Sequence, residues 1–428
     1  MPVKNSQTDA MTGSLFRNVL AVSAVAIFYS NLHEYLHRNY EVGVPWQWVL
    51  AFLILSLPLL VRQVLTSEII RLPIVVWCFG YLWVTMVWFL LGTQSDMAWQ
   101  EVRWRILAIF EILGFLAIVM EARAHLIARL TLAVAVHVAV VINVFELFAP
   151  NTFSDVSGRS AGLYVNANMS AEALVLGMIL AVTALPIWYR GVFIFLVGTG
   201  VFVTYSRAGL IGWLIAVVGL KLARFINTTY LIRTSLIACL LIGIVLLPKA
   251  DQILTTLERV GSLNQDTQER LAWFMDPLGV DDKSGSSRKS VAREAWERVA
   301  EQPFFGSGTG SVHQGLNIQP HNQFLSHMID HGLVGAMLMP LLLLALIWRT
   351  EGENRRVALI FSCTVLWLGF FTHTFLNFSY TLLLLALVAA LGVMRVCPKD
   401  QTSHGSQRVK SDPRSSRKDL GAVPVMTP

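Results

Sequence analysis

Apolar residues run along this chain in stretches near the length needed to cross a bilayer, separated by short polar connections. About 20 mostly apolar residues in helical conformation cover roughly 30 Å of hydrocarbon. Twelve stretches meet that measure: 16–33, 45–61, 72–92, 104–120, 125–148, 170–188, 190–206, 208–222, 231–248, 332–348, 356–374 and 378–395. Only Thr204-Tyr205-Ser206-Arg207 interrupts the pair 190–206 and 208–222. We read two helices there, because one long helix would set Arg207 at mid-bilayer at a cost of about 3 kcal/mol or more. The pattern predicts an all-α polytopic membrane protein with about 12 transmembrane helices and one large extracytoplasmic loop containing short helices.

Lysine and arginine in short loops orient such a chain. The even-numbered connections hold Arg62 and Arg71, Arg123 and Arg129, Arg190, then Lys221, Arg224 and Arg233, and finally Arg349, Arg355 and Arg356. The odd-numbered ones are poorer, with Arg38 after the first helix and Arg103 offset by Asp96 and Glu101. Both termini are therefore predicted to face the cytoplasm. This divides the chain into a cytoplasmic segment 1–15, helices one to nine over 16–248, a large outside loop over 249–320, helices ten to twelve over 321–395, and a disordered cytoplasmic tail 396–428. Residues 1–13 are polar and no small-residue cleavage site follows the first apolar run, so the N-terminus does not read as a cleaved signal. No internal repeat is visible.

Composition agrees. Of 428 residues 55% are hydrophobic and 14% charged, and the mean hydropathy is +0.58. A soluble domain carries roughly 25% charged residues, and a globule of this size cannot hide so much apolar surface from water. A soluble enzyme, a nucleic-acid-binding domain and a disordered scaffold are thereby excluded. The net charge of +6 says little as a total, because the tail alone has six basic and three acidic residues and other cations are topology signals. That tail reads as solvated chain with weak affinity for anionic lipid. Cys78, Cys239, Cys363 and Cys397 offer neither a disulfide framework nor a metal spacing.

Chemistry concentrates on the outside face. The connection from Pro248 to Pro320 has ten acidic and eight basic residues and is solvated. Within it Ser290–Glu301 sets Val291, Ala292, Ala295, Trp296, Val299 and Ala300 on a helical stripe, an amphipathic helix ended by Pro303 and Gly306-Ser307-Gly308-Thr309-Gly310. Glycine runs can cradle phosphate, but without a preceding strand or following lysine a plain turn is favoured. Asp281-Asp282 reads as loop solvation. The segment His321–Gly332 then leads into an apolar helix. His327 and His331 share a face at i, i+4 as zinc ligands do, but no cysteine or glutamate supplies an obvious third ligand, and interfacial histidines are commonly just wet. His321, at the loop–helix junction, is placed to take a proton from a hydroxyl. Arg159, Arg207 and Arg288 also lie outside. Single arginines at a bilayer edge usually snorkel to headgroups; several converging suit a diphosphate, which guanidinium binds in bidentate fashion. Glu111 and His137, ionisable groups inside spans, read as helix-to-helix hydrogen-bonding groups.

Four segments in order resemble the O-antigen ligase and polymerase superfamily of lipid-linked glycan transferases. Arg159–Asn168 is similar to its arginine, glycine, paired-asparagine pattern, and Tyr205-Ser206-Arg207-Ala208-Gly209 to its serine-arginine-small turn. Ser287-Arg288 through Pro303-Phe304-Phe305-Gly306-Ser307-Gly308 is similar to the loop arginine set before a proline-glycine turn. His321-Asn322, with ten residues between His321 and Gly332, fits the ligase-type spacing. The family usually has a large apolar residue four after the loop arginine. Here that residue is Ala292, while Arg259 has Leu263 in that position, so Arg259 competes with Arg288.

The resemblance implies a metal-independent glycosyltransferase without cofactor, in the bacterial inner membrane, with the outside loop periplasmic. Its implied substrates are an undecaprenyl-diphosphate-linked glycan donor and the lipid A–core acceptor, and its partners are membrane lipid and no nucleic acid. His321 is the implied general base, Arg207, Arg288 and Arg159 the diphosphate-binding residues, with Asn166, Asn168, Asn322, Gly332 and Arg259 in support. An O-antigen ligase is the favoured member, ahead of a repeat-unit polymerase and a protein O-oligosaccharyltransferase. From another class, a polytopic flippase or transporter of lipid-linked glycan has similar spans, but the absent repeat and the concentration of motifs in one loop argue against it.

Overall fold

The computed structural model describes residues 4–394 apart from 157, 242, 245–246, 277–282 and 315–319. The tail 396–428 with Cys397, the Asp281-Asp282 doublet and Ser157 lie outside the described residues. Those described are helical, with no strand among them. Each of the twelve apolar stretches overlaps a helix: α1 (Lys4–Ala24), α3 (Pro45–Leu65), α4 (Pro73–Leu91), α5 (Asp96–Val119), α6 (Ala122–Phe148), α7 (Ala167–Val182), α8 (Ile187–Val203), α9 (Arg207–Leu222), α10 (Thr228–Leu241), α14 (Gln323–Ile347), α15 (Gly352–Leu368) and α16 (Ser379–Ala390). Between α1 and α3 the chain continues through a π-helical turn, Val25–Tyr29, into α2 (Leu32–Tyr40).

Four helices, α3, α4, α6 and α14, are long and apolar enough to cross a membrane by themselves. A fifth arises where Gly13–Tyr29 joins α2 across a 52° bend, at Asn31 with its left-handed φ of 59°. The helix also begins at Lys4, inside the polar segment placed ahead of the first span. The remaining apolar helices are shorter or interrupted by charge, and burial explains how they are accommodated. Every residue of α16, and every residue of α7 except Asn168, is buried, and both are predominantly apolar, which is the signature of helices enclosed by others. α7 packs against α6, α8, α9 and α15, and α16 against α5 and α7. The outer helices reverse the soluble arrangement. Leu50, Ile54, Leu55, Leu57 and Val61 of α3 and Val76, Phe79, Trp83 and Leu90 of α4 are exposed. An apolar exterior of this kind, with backbone groups satisfied inside helices, belongs in lipid, and this is a membrane protein.

The long connection folds into α11 (Ala250–Arg259), α12 (Gln265–Met275) and α13 (Lys283–Glu301). The stripe read for Ser290–Glu301 is only partly buried. Val291, Ala295 and Val299 face inward, and Ala295 and Val299 pack against Ile329, while Trp296 is exposed. After α13 the glycine run is held against α14. Ser307 and Gly308 N–H groups donate to the Ile329 and Asp330 carbonyls at 2.8 and 3.0 Å, and Leu333 N–H donates to the Pro303 carbonyl at 2.9 Å. There α14 kinks, with Gly332 at φ 58°, ψ −140°. A Cβ on Gly332 would lie 2.4 Å from the Phe304 carbonyl carbon, and one on Gly306 would lie 2.5 Å from Gly332 N. Both positions require glycine, for close approach as well as for φ. The expected turn is thus a strap that fits into a helix kink, and the apolar stretch starting at 332 begins where the kink falls.

Candidate functional site

Three separate segments bring side chains to one cavity of about 400 Å³. Arg207 opens α9, where the Ser206 hydroxyl caps the helix by accepting from Gly209 N–H at 3.3 Å. Arg288 comes from α13, and His321 from the residue before the N-cap of α14. Asn168 and Asn322 also line the cavity, and Ala292, four after Arg288, leaves space that a larger side chain would fill. Arg259 is exposed at the end of α11 and is not part of this lining.

α12, which the motifs did not mark, adds two residues. Trp273 stands under the Arg207 guanidinium, 4.8 Å from ring centroid to Cζ, a cation–π contact that orients the cation without neutralising it. Arg270 is buried and paired with Asp266, Nε to Oδ2 at 2.9 Å and Nη2 to Oδ1 at 3.2 Å. α12 in turn is tied to the Arg159 segment, since the Thr267 hydroxyl donates to the Gly158 carbonyl at 2.8 Å. An aromatic three residues after an arginine in a polar loop was the available signal for these residues.

Arg159 stands behind the cavity. Its Nε donates to the Thr204 carbonyl at 3.0 Å and its Nη2 to Asn168 Oδ1 at 3.0 Å, so it braces the Arg207 turn and fixes Asn168. Burial pushes its pKa down to about 9, helped by Arg270, Arg288 and Arg207 and opposed by Asp266. That four guanidinium groups interact at all marks a strongly electropositive region. Two supporting residues are helix caps. Asn166 Oδ1 accepts from the Asn168 and Met169 N–H groups, each at 3.0 Å; Asn322 Oδ1 accepts from Phe324 and Leu325 N–H at 2.9 and 3.1 Å. Such caps satisfy helix-end donors and set the direction of the helix.

His321 is held from both sides. Pro320 before it is buried. Two residues on, Gln323 N–H donates to the Gly369 carbonyl at 2.8 Å and Gln323 Oε1 accepts from Phe375 N–H at 3.0 Å. The imidazole remains exposed and meets His373 edge to face, centroids 5.3 Å apart. Desolvation, followed by the Arg288 charge, holds its pKa below the ordinary histidine value. A neutral imidazole at physiological pH is a proton acceptor.

A second cavity, of about 270 Å³, shares Asn168, Arg288 and His321 with the first and is lined on its other side by Glu172, Ser206, Thr372 and His373. Glu172 sits within an apolar stretch and is therefore of the same kind as Glu111 and His137. Of those two, His137 exchanges a hydrogen bond with the Tyr189 hydroxyl at 2.8 Å, and Glu111 with Ser379, the helix-to-helix role read for them.

His327 and His331 are both buried and engaged elsewhere. Arg105, buried on α5, pairs with Asp330 at 2.6 Å and Glu101 at 2.9 Å, and its Nη1 lies 2.9 Å from His331 Nε2. Asp330 Oδ1 accepts from Val312 N–H at 3.0 Å and from the Ser311 hydroxyl at 3.2 Å. His327 Nε2 lies 3.0 Å from the amide nitrogen of Gln323. This network joins α5, the strap and the kinked part of α14. Farther out, Glu146 fixes the loop after α6: its carboxylate accepts from Ser154, Ala161 and Gly162 N–H at 2.7, 2.9 and 2.7 Å.

Residues 192–340, which hold Arg207, Arg288 and His321, match the family described as O-antigen ligase. No curated protein matches the chain.

Proposed function

From the premise that this chain carries a domain of the O-antigen ligase superfamily, we propose that it transfers O-antigen polysaccharide from undecaprenyl diphosphate to the lipid A–core oligosaccharide. The reaction takes place on the periplasmic face of the inner membrane, with twelve spans, both termini cytoplasmic and residues 249–320 outside. The observation that carries this reading is the meeting of Arg207, Arg288 and His321, from three separate segments, on one cavity.

The donor brings its own leaving group. Attack at its anomeric carbon breaks the C–O bond to the diphosphate, which leaves with the electron pair. Arg207 and Arg288 stabilise that charge, with Arg270 alongside. Fixed guanidinium groups do this best where water is scarce, because they need little reorganisation as charge develops. Arg159 acts from behind, holding Asn168 and the turn that carries Arg207. His321, neutral and exposed to the cavity, takes the proton of the attacking hydroxyl. The apolar wall of Ile211, Trp367 and Phe370 beside the guanidinium groups suits the first isoprene units of the lipid.

A lipopolysaccharide gel of a deletion strain tests the reading. Loss of a ligase leaves bare core while long lipid-linked polymer accumulates; loss of a polymerase leaves core with at most one repeat. Complementation with His321→Ala or Arg207→Ala is expected to fail with the protein present in the membrane. Normal attachment by either variant refutes the assignment.

A further inference from the structure

We propose that the smaller cavity is the seat of the acceptor sugar and that the Glu172 carboxylate binds its hydroxyl groups. This rests on the transferase reading above. The two cavities meet at Asn168, Arg288 and His321 and differ in chemistry on either side of that boundary. The larger has Arg207, Arg270 and Lys289 and suits an anion. The smaller has the acid Glu172 with Ser206, Thr372 and His373. A diphosphate carries only acceptors and negative charge, and the acceptor oxygens of a carboxyl group offer it no hydrogen bond. A sugar brings several O–H donors and no charge, which is what a carboxylate lacks when buried.

Glu172 is 4% exposed and is held by the Tyr380 hydroxyl at 3.2 Å rather than by a cation. A buried carboxylate with one neutral donor is expensive to keep, and a hydroxyl-rich ligand satisfies the rest of it. Glu172 lies four residues after Asn168 and so on the same face of α7, one turn deeper along the wall both cavities share. The acceptor oxygen then lies on one side of His321 and the donor diphosphate on the other. In the reaction the acceptor oxygen bonds to the anomeric carbon and gives its proton to His321. The C–O bond to the diphosphate breaks with the electron pair on the diphosphate, and His321 returns its proton to water.

The test uses the full-length protein in lipid vesicles. Its probes are undecaprenyl diphosphate for donor binding and lipid A–core purified from a ligase-deficient strain for acceptor titration. Glu172→Gln keeps the size and the Tyr380 contact but replaces one carboxyl oxygen, an acceptor for sugar hydroxyls, with an amide N–H donor. We expect it to raise the acceptor KM about tenfold or more and to leave the Kd for undecaprenyl diphosphate within about twofold. Thr372→Phe, which narrows the same cavity, should give the same split, so the proposal stays testable even if Glu172→Gln fails to fold. An unchanged acceptor KM in the folded variants, or a rise confined to donor binding, overturns it. A wild-type protein that joins nothing to lipid A–core but lengthens lipid-linked repeat units overturns the ligase reading alone. The KM split is then read on the repeat-unit acceptor by the same criteria.

Discussion

The imidazoles of His321 and His373 meet edge to face, 5.3 Å between centroids, at the place where the two cavities join. A proton accepted by His321 is therefore received beside a second imidazole, and desolvation, followed by the Arg288 charge, holds its pKa low. The base form should persist down through the ordinary histidine value of about 6.5. We expect kcat/KM for glycan transfer to be flat from neutral pH to about 6.5 and to fall only below it, as His321 protonates. His321→Ala should lose about 10²–10⁴-fold in kcat. An acid limb centred at or above about 7 contradicts the assignment.

The Arg207–Trp273 contact predicts a graded series. Trp273→Phe keeps an aromatic face and should transfer glycan at near the parent rate. Trp273→Ala should weaken donor binding by the ~0.5–1 kcal/mol of a cation–π pair, seen as a modest rise in donor KM. Arg207→Lys keeps charge but not the bidentate fork, and should fall between Trp273→Ala and Arg207→Ala. An Arg207→Lys variant with parent kinetics would show that charge alone suffices.

Gly332→Ala should damage the protein without touching substrate. The new Cβ meets the Phe304 carbonyl at 2.4 Å, and the position has φ 58°. We expect about 1–3 kcal/mol of strain and a lower thermal midpoint in detergent. Gly306→Ala, on the opposite side of the contact, should do likewise. The double variant should cost less than the sum of the two, because both break one contact.

Arg105→Met should be more severe. It leaves Asp330 and Glu101 buried without their cation, a loss of about 3–5 kcal/mol, measured as reduced yield and early unfolding. His313 at the rim of this network gives a pH test. Its hydrogen bond to Glu101, Nε2 to Oε2 at 3.2 Å, raises its pKa. The stabilisation is therefore full below the unfolded value near 6.5 and is lost as pH rises through the higher folded value. The thermal midpoint of the parent should fall from about pH 6 to about pH 8 by more than that of His313→Gln.

Apolar runs made the helices legible, because burial in lipid or protein demands nearly unbroken apolar sequence. The break at Thr204–Ser206 was legible for the same reason, since Arg207 could not lie mid-bilayer. The candidates His321, Arg207 and Arg288 share a cavity, each marked in the sequence as a charged or ionisable residue at the edge of an apolar or amphipathic helix. The rest was not legible, because it depends on which face of a helix meets which. Asn166 and Asn322, read as support for the site, cap α7 and α14, a local role that a polar residue ahead of an apolar helix signals equally well. Arg105 and Glu146 look like ordinary interfacial charges until the loops that they bind are in place. Glu172 is an acid in an apolar stretch, and only the fold shows that it faces a cavity.

The shortness of α7 has a mechanical consequence. Its 16 residues rise about 24 Å, against roughly 30 Å of hydrocarbon, so a bilayer around the bundle extends past one of its ends. Within the bundle α7 is enclosed by α6, α8, α9, α15 and α16. The end that carries Asn166 and Asn168 borders both cavities. On the transferase reading proposed above, a lipid-borne sugar would react beside this end while its isoprenoid tail stays in the bilayer.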